Sequence, residues 1–172
     1  MNRNRGFTLM ELLVVIAIIG ILGSIVVISV SNARQKAYFS RSLAEFNSLS
    51  TALELFKDDN EGAYPDDADR NIPNGLEAYL STDGNWPTAP WPGSVYDWDN
   101  WDDPDEDDDS IRIYQISIRF CPVGGNISTC NFPDEDWAEN FGVNSSVYYC
   151  IEGSCRAHIN QNIDYPGYCV NC

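Results

Sequence analysis

Histidine is nearly missing from this sequence, no proline precedes position 65, and no cysteine precedes position 121. The single imidazole, His158, leaves no histidine cluster for a metal and marks no Ser or Cys nucleophile beside it, so a structural role is expected for it. Basic residues are scarce as well: 10 Lys and Arg stand against 26 Asp and Glu, a formal charge of −16. Six of those cations fall within residues 1–57, so the remainder of the chain is more acidic still. Nucleic-acid backbones are bound by neutralising phosphates with Lys and Arg, and a chain of this sign is expected to take no nucleic-acid partner. No phosphate-binding ATPase motif is present either, and no particular carboxylate pair is marked out for acid–base chemistry.

Against these absences stands one long apolar run. Residues 7–30 carry a single charge, Glu11. As a helix the run spans roughly 36 Å, enough to cross a hydrocarbon core of about 30 Å. A carboxylate in such a segment costs on the order of 2–3 kcal/mol unless a partner meets it, so Glu11 is a functional candidate in need of a cation. Met1-Asn2-Arg3-Asn4-Arg5 is a basic leader that the positive-inside tendency holds on the cytoplasmic face. No small-residue cleavage site follows the run, unlike a secretory signal. Cleavage after Gly6 instead keeps the apolar segment and places the amine of Phe7 four residues before Glu11.

Gly6-Phe7-Thr8-Leu9-Met10-Glu11, continuing apolar through Gly20, resembles the class III signal of type IV pilins and of the pseudopilins of type II secretion. The resemblance implies cleavage between Gly6 and Phe7 by prepilin peptidase, N-methylation of Phe7, and pairing of Glu11 with the Phe7 amine of a neighbouring subunit during filament growth. Opposite charges stranded in lipid lower each other's cost, which draws an incoming subunit into register. The implied fold is α+β, a long N-terminal helix packed on a small antiparallel sheet with disulfide-tied C-terminal loops. The implied partners are further copies of the chain in a helical homopolymer, the cytoplasmic membrane before assembly, and separate inner-membrane assembly machinery. The final location is then an extracellular filament at the cell surface. A secretion pseudopilus is the near alternative, and a membrane-anchored adhesin or extracellular enzyme borrowing the same signal is the distant one.

The organisation expected along the chain is a leader (1–6), a membrane or filament-core half of a helix (7–30), an amphipathic half (31–57) and a head (58–172). Phe39, Leu43, Phe46, Leu49, Leu53 and Phe56 recur at spacings of three and four, marking one face on which the head should pack. Gly20 and Gly23 are the weak points of the apolar half. Asp58-Asp59-Asn60-Glu61-Gly62 and Pro65 end the helix, and a short helix is expected over residues 75–80. Asp59-Asn60-x-Gly62-x-Tyr64-Pro65 with Gly75-Leu76-Glu77-Ala78-Tyr79-Leu80 is similar to the region past the long helix in the major pseudopilin of type II secretion.

Four of the five tryptophans fall in the proline-rich residues 86–101, read as a packed loop whose indoles cover the helix stripe. Residues 97–109 are an acidic loop, and Asp97, Asp99, Asp102 and Asp103 are candidate calcium ligands, since calcium takes six to eight oxygens. The pseudopilin resemblance adds weight to calcium; the competing reading is a solvated acidic loop. Residues 111–120 alternate with period two as a half-buried strand, and Glu152-Gly153-Ser154 reads as the turn of a hairpin. Cys121, Cys130, Cys150, Cys155, Cys169 and Cys172 read as three disulfides in an exported segment, with zinc at Cys169-x-x-Cys172 as the alternative. Cys121–Cys130 and Cys150–Cys155 are the short-loop pairings to expect first among 15 connectivities. Two glycosylation-type triplets, at Asn126 and Asn144, indicate surface loops.

Overall fold

The computed structural model describes residues 7–102, 112–157, 159–160 and 163–172. Helix α1 runs over Leu9–Asp59 without interruption, as expected for a stretch free of proline. The chain divides into two compact units, Met1–Ala37 and Tyr38–Cys172. In the first unit the described residues of α1 expose nearly every apolar side chain; Leu9 is 81% and Ile21 64% accessible. An 18-residue window of this helix has a mean hydropathy of 3.1, long and apolar enough to cross a membrane.

The second unit is the head. Its part of α1 buries one stripe: Phe46, Leu49, Leu53 and Phe56, joined by Ser42 and Ala52. Each large apolar side chain removed from water contributes about 1.5–3 kcal/mol, so this stripe is where the helix is held. Lys57 near the last turn and Gly62, whose N–H bonds Lys57 O, close the helix. A 3-10 turn over Leu76–Tyr79 stands where a short helix was expected, and it inserts Leu76 into the core.

Four strands form the main sheet: β1 (Val95–Asp102), β2 (Arg112–Arg119), β3 (Ser146–Glu152) and β6 (Gly167–Cys169), in spatial order β1-β2-β3-β6. β1, β2 and β3 are antiparallel, but β6 lies parallel to β3, pairing Val147 with Tyr168. A separate two-stranded ribbon pairs β4 (Ile159–Asn160) with β5 (Ile163–Asp164). The sheet is thus not wholly antiparallel, and β3 does not return as a hairpin through residues 155–157.

The sheet is buried on both faces, which shapes its sequence. Tyr96 and Trp98 of β1, with Ile116 and Ile118 of β2 and Phe120 just beyond it, belong to the core that includes the α1 stripe. Asp97, Asp99, Gln115, Ser117 and Arg119 alternate with them on the opposite face and are buried too. Ile113 falls on that second face, so the isoleucines change sides along β2; Ile111 lies outside the described residues. The tryptophan-rich segment is only partly a loop. Its last proline is Pro92, and β1 begins at Val95. Trp91 packs against Tyr38 and Phe120, and Trp98 against Tyr64 and Tyr114, so both indoles are part of the core.

Candidate functional site

Thr8 and Glu11 form a reciprocal cap at the start of α1. Glu11 Oε2 accepts Thr8 N and Thr8 Oγ1, both at 2.8 Å, while Glu11 N donates to Thr8 Oγ1 at 3.2 Å. This is a capping box, Thr-x-x-Glu, which satisfies helix-terminal N–H groups that would otherwise be stranded in an apolar setting. It also fixes where the carboxylate points, two hydrogen bonds lowering the cost of holding it there. The sequence reading singled out Glu11 but missed Thr8, although the spacing is a legible signal. Phe7, beside this cap, is 78% exposed, as are the apolar residues that follow it; Gly6 lies outside the described residues. The arrangement offers an oriented carboxylate at one end of an uncovered apolar rod.

Of the four aspartates considered for calcium, the three that are described have protein partners of their own. Asp97 and Asp99 project from the same face of β1 into a buried polar seam. There Asp97 Oδ2 stands 3.6 Å from Arg119 Nε and Asp97 Oδ1 accepts Arg70 N at 2.7 Å. Asp99 Oδ2 accepts Gln115 Nε2 at 3.1 Å. Asp102 falls on the opposite face by the alternation of the strand, paired with Arg112 Nη1 at 2.6 Å. Asp103 lies outside the described residues. Arg119 thus faces Asp97, Gln115 faces Asp99 and Arg112 faces Asp102, and among the described residues no three His, Cys, Asp or Glu side chains gather as a metal site requires. Burial, followed by the charge of Asp99, pushes the Asp97 carboxyl up to about 7, although Arg119 pulls it down. Burial raises Asp99 as well.

Three disulfides join Cys121–Cys130, Cys150–Cys155 and Cys169–Cys172. They tie the loop after β2, the turn after β3 and the C-terminal end, where Cα separations of 4.2–5.6 Å suit such links. With all six cysteines paired, the zinc alternative at Cys169 and Cys172 has no thiolates to use. His158 lies outside the described residues.

Comparison with known proteins bears on the N-terminal geometry first. The profile of the prokaryotic N-terminal methylation motif matches residues 1–27. The type II secretion system core protein G of Klebsiella pneumoniae is 37% identical over 89 residues, 52% of this chain and 59% of that protein. The Escherichia coli K12 protein of the same name is 41% identical over 89 residues, 52% of this chain and 54% of its own length. That of Pectobacterium carotovorum is 43% identical over 79 residues, 46% and 47% of the two chains. The chain spans about half the length of the curated relatives it matches. No solved structure matches it. The chain thus carries the prokaryotic N-terminal methylation motif on a capped apolar helix, and over about half its length it is similar to the type II secretion system core protein G of several bacteria.

Proposed function

We propose that the chain is a structural subunit of a filament, not an enzyme, polymerising through α1. The observation that carries this reading is the apolar half of α1, exposed on every side and capped by an oriented Glu11. Such a rod is stable only in lipid or among other rods. Prepilin peptidase would cleave between Gly6 and Phe7, and Phe7 would be N-methylated. The Phe7 amine of one subunit would then meet Glu11 of the next. The precursor sits in the cytoplasmic membrane with its head outside, and separate inner-membrane machinery drives assembly.

The name of the relatives, type II secretion system core protein G, supports a short secretion filament. A longer cell-surface pilus is the second reading, favoured by three disulfides in the part of the head that would face outward. Electron microscopy of sheared cell-surface material, with and without the gene, separates the two: long filaments lost on deletion indicate a pilus. Glu11→Val should abolish growth of either filament, and unchanged assembly in that variant would overturn the charge pairing. Mass spectrometry of the mature N-terminus should find methylated Phe7; a chain beginning beyond residue 30 would end the filament reading.

A further inference from the structure

The two Asn-x-Ser triplets of the head meet different fates in the fold. An enzyme that modifies such a triplet must reach both the amide and the hydroxyl two positions on. Asn144 is half-buried, and the serine it needs, Ser146, is wholly buried as the first residue of β3. Asn126 and Ser128 are both exposed. The folded head therefore hides one triplet and offers the other.

Asn126 stands within the loop closed by Cys121–Cys130, and both ends of that loop are pinned. Cys121 is buried and its carbonyl accepts Arg70 Nη1. At the other end Asn131 N donates to Phe120 O at 3.1 Å, and Asn131 Nδ2 donates to Pro92 O at 2.7 Å. Gly125 lets the chain turn where any Cβ would overlap Pro122 and Thr129. Thr129 Oγ1 accepts Asn126 N at 3.1 Å and donates to Asn126 O at 2.7 Å, which fixes the backbone that carries the amide.

The amide itself is arranged for substitution at nitrogen. Asn126 Oδ1 accepts Ser128 N at 3.0 Å and also the Ser128 hydroxyl, while among the described residues no acceptor meets Asn126 Nδ2. A carboxamide nitrogen is a poor nucleophile because its lone pair is shared with the carbonyl. Donors on Oδ1 stabilise the charge that collects on that oxygen as Nδ2 gives up a proton. Val123 and Ile127, 71% and 57% accessible, leave apolar surface uncovered on either side of the amide. A sugar ring has an apolar C–H face that burial beside them would favour. We propose that Asn126 is an N-glycosylation site and that Asn144 is not. In the transfer, Nδ2 attacks the anomeric carbon of an oligosaccharide carried on a lipid pyrophosphate. A C–N bond forms as the C–O bond to pyrophosphate breaks; the lipid pyrophosphate leaves with that electron pair, and the amide proton passes to a carboxylate of the transferring enzyme. The site goes beyond the filament role and rests on it only in needing an exported head.

Two measurements test it. The chain isolated from the cells that make it is digested and mapped by electron-transfer fragmentation, which should find sugar on Asn126 and none on Asn144. Disulfide formation, read on the same sample, reports export separately from glycosylation. In the second measurement the full chain, made in a host without such an enzyme and held in detergent micelles, is given lipid-pyrophosphate-linked chitobiose. The enzyme supplied is an oligosaccharyltransferase that reads Asn-x-Ser/Thr alone. The folded chain should take sugar at Asn126 only, and the reduced, carboxymethylated chain at both positions. Ser128→Ala and Asn126→Gln should each lose the modification, Ser128→Thr should keep it, and Asn144→Gln should change nothing. A folded chain that stays bare at Asn126, or takes sugar equally at Asn144, overturns the proposal whichever side of the membrane the head occupies. A native chain with its disulfides formed and Asn126 bare overturns it as well. Should Asn126→Gln fail to fold, the two Ser128 variants and the folded-against-unfolded comparison decide the matter.

Discussion

Tyr96 of β1 donates its hydroxyl to Glu45 Oε2 of α1 at 2.6 Å, with the ring almost wholly buried. Burial, and then the carboxylate it serves, push this phenol above its ordinary range, so it stays a donor at any pH the head survives. Glu45 is shared with Arg41 at 2.8 Å, and Arg41 Nη2 in turn bonds Thr88 O at 2.6 Å. One carboxylate therefore joins the helix, the loop before β1 and β1 itself. Phe46 lies edge-on to the Tyr96 ring at 5.8 Å, so the polar link sits beside the apolar stripe that holds the head to its helix.

Removal of that hydroxyl isolates the link from the packing. Tyr96→Phe keeps the ring and its contacts but leaves a partly buried carboxylate with one partner fewer. A loss of about 1–2 kcal/mol is expected, and with it a fall in melting temperature of roughly 2–8 °C. Thermal unfolding followed by tryptophan fluorescence measures it; an unchanged midpoint would mean that water replaces the bond without cost.

The buried seam behind the sheet makes stability depend on pH. Asp97 faces Asp99 on its own strand, Arg119 on β2, and Arg70 and Asp67 from the segment before β1. Its folded value, about 7, lies above the unfolded value of about 3.9. A raised carboxyl contributes stability that is fully present below the unfolded value and is lost as pH rises through the folded one. The head should therefore unfold at lower denaturant at pH 8 than at pH 5. Asp97→Asn, which keeps an acceptor for Arg70 N, should flatten that dependence. A head whose stability rises between these pH values would exclude the assignment.

How far the sequence revealed this fold depends on which interactions are local. The stripe from Phe39 to Phe56 is written with the period of a helix; of the residues the spacing marks, Phe46, Leu49, Leu53 and Phe56 are buried and Phe39 and Leu43 half-buried, while Ser42 and Ala52 are buried without being marked. The cysteine pairs join neighbours, and the structure makes both short-loop links that the spacing favours. β1 was hidden because Asp97 and Asp99 look like members of a solvated acidic run. Their burial depends on Arg119 and on Arg70, the latter 27 positions away, and no local pattern announces such partners. The same holds for Gln115 and Ser117, polar residues on a face that reads as exposed until the chain covers it. The parallel placement of β6 beside β3 is likewise set by contacts distant in sequence.

The Cys121–Cys130 link ties the chain just after β2 to the segment leading to Phe132, whose ring packs on Phe120, as Phe141 does. Replacing both cysteines with serine frees a loop of this size and should lower stability by about 2–3 kcal/mol on the chain-entropy account. Denaturant unfolding of the double variant against the unaltered chain measures the loss. Reducing agent should lower the unaltered chain further, because two other links open with it, and should leave little additional effect if this one link held the head alone.

Thr8 offers a way to separate the orientation of Glu11 from its charge. In Thr8→Val the carboxylate remains, but the hydroxyl that bonds it at 2.8 Å and accepts Glu11 N is gone. Loss of an N-terminal cap costs about 1 kcal/mol of helix stability, and here it also frees Glu11 to leave the position in which an incoming amine must find it. Assembly should fall in Thr8→Val while Thr8→Ser, which keeps the hydroxyl, assembles nearly normally. Thr8 lies two residues past the expected cleavage point, so leader removal is measured in the same cells by mass spectrometry. Full processing with reduced filament in Thr8→Val assigns the defect to orientation, whereas full processing with normal filament shows that charge alone suffices.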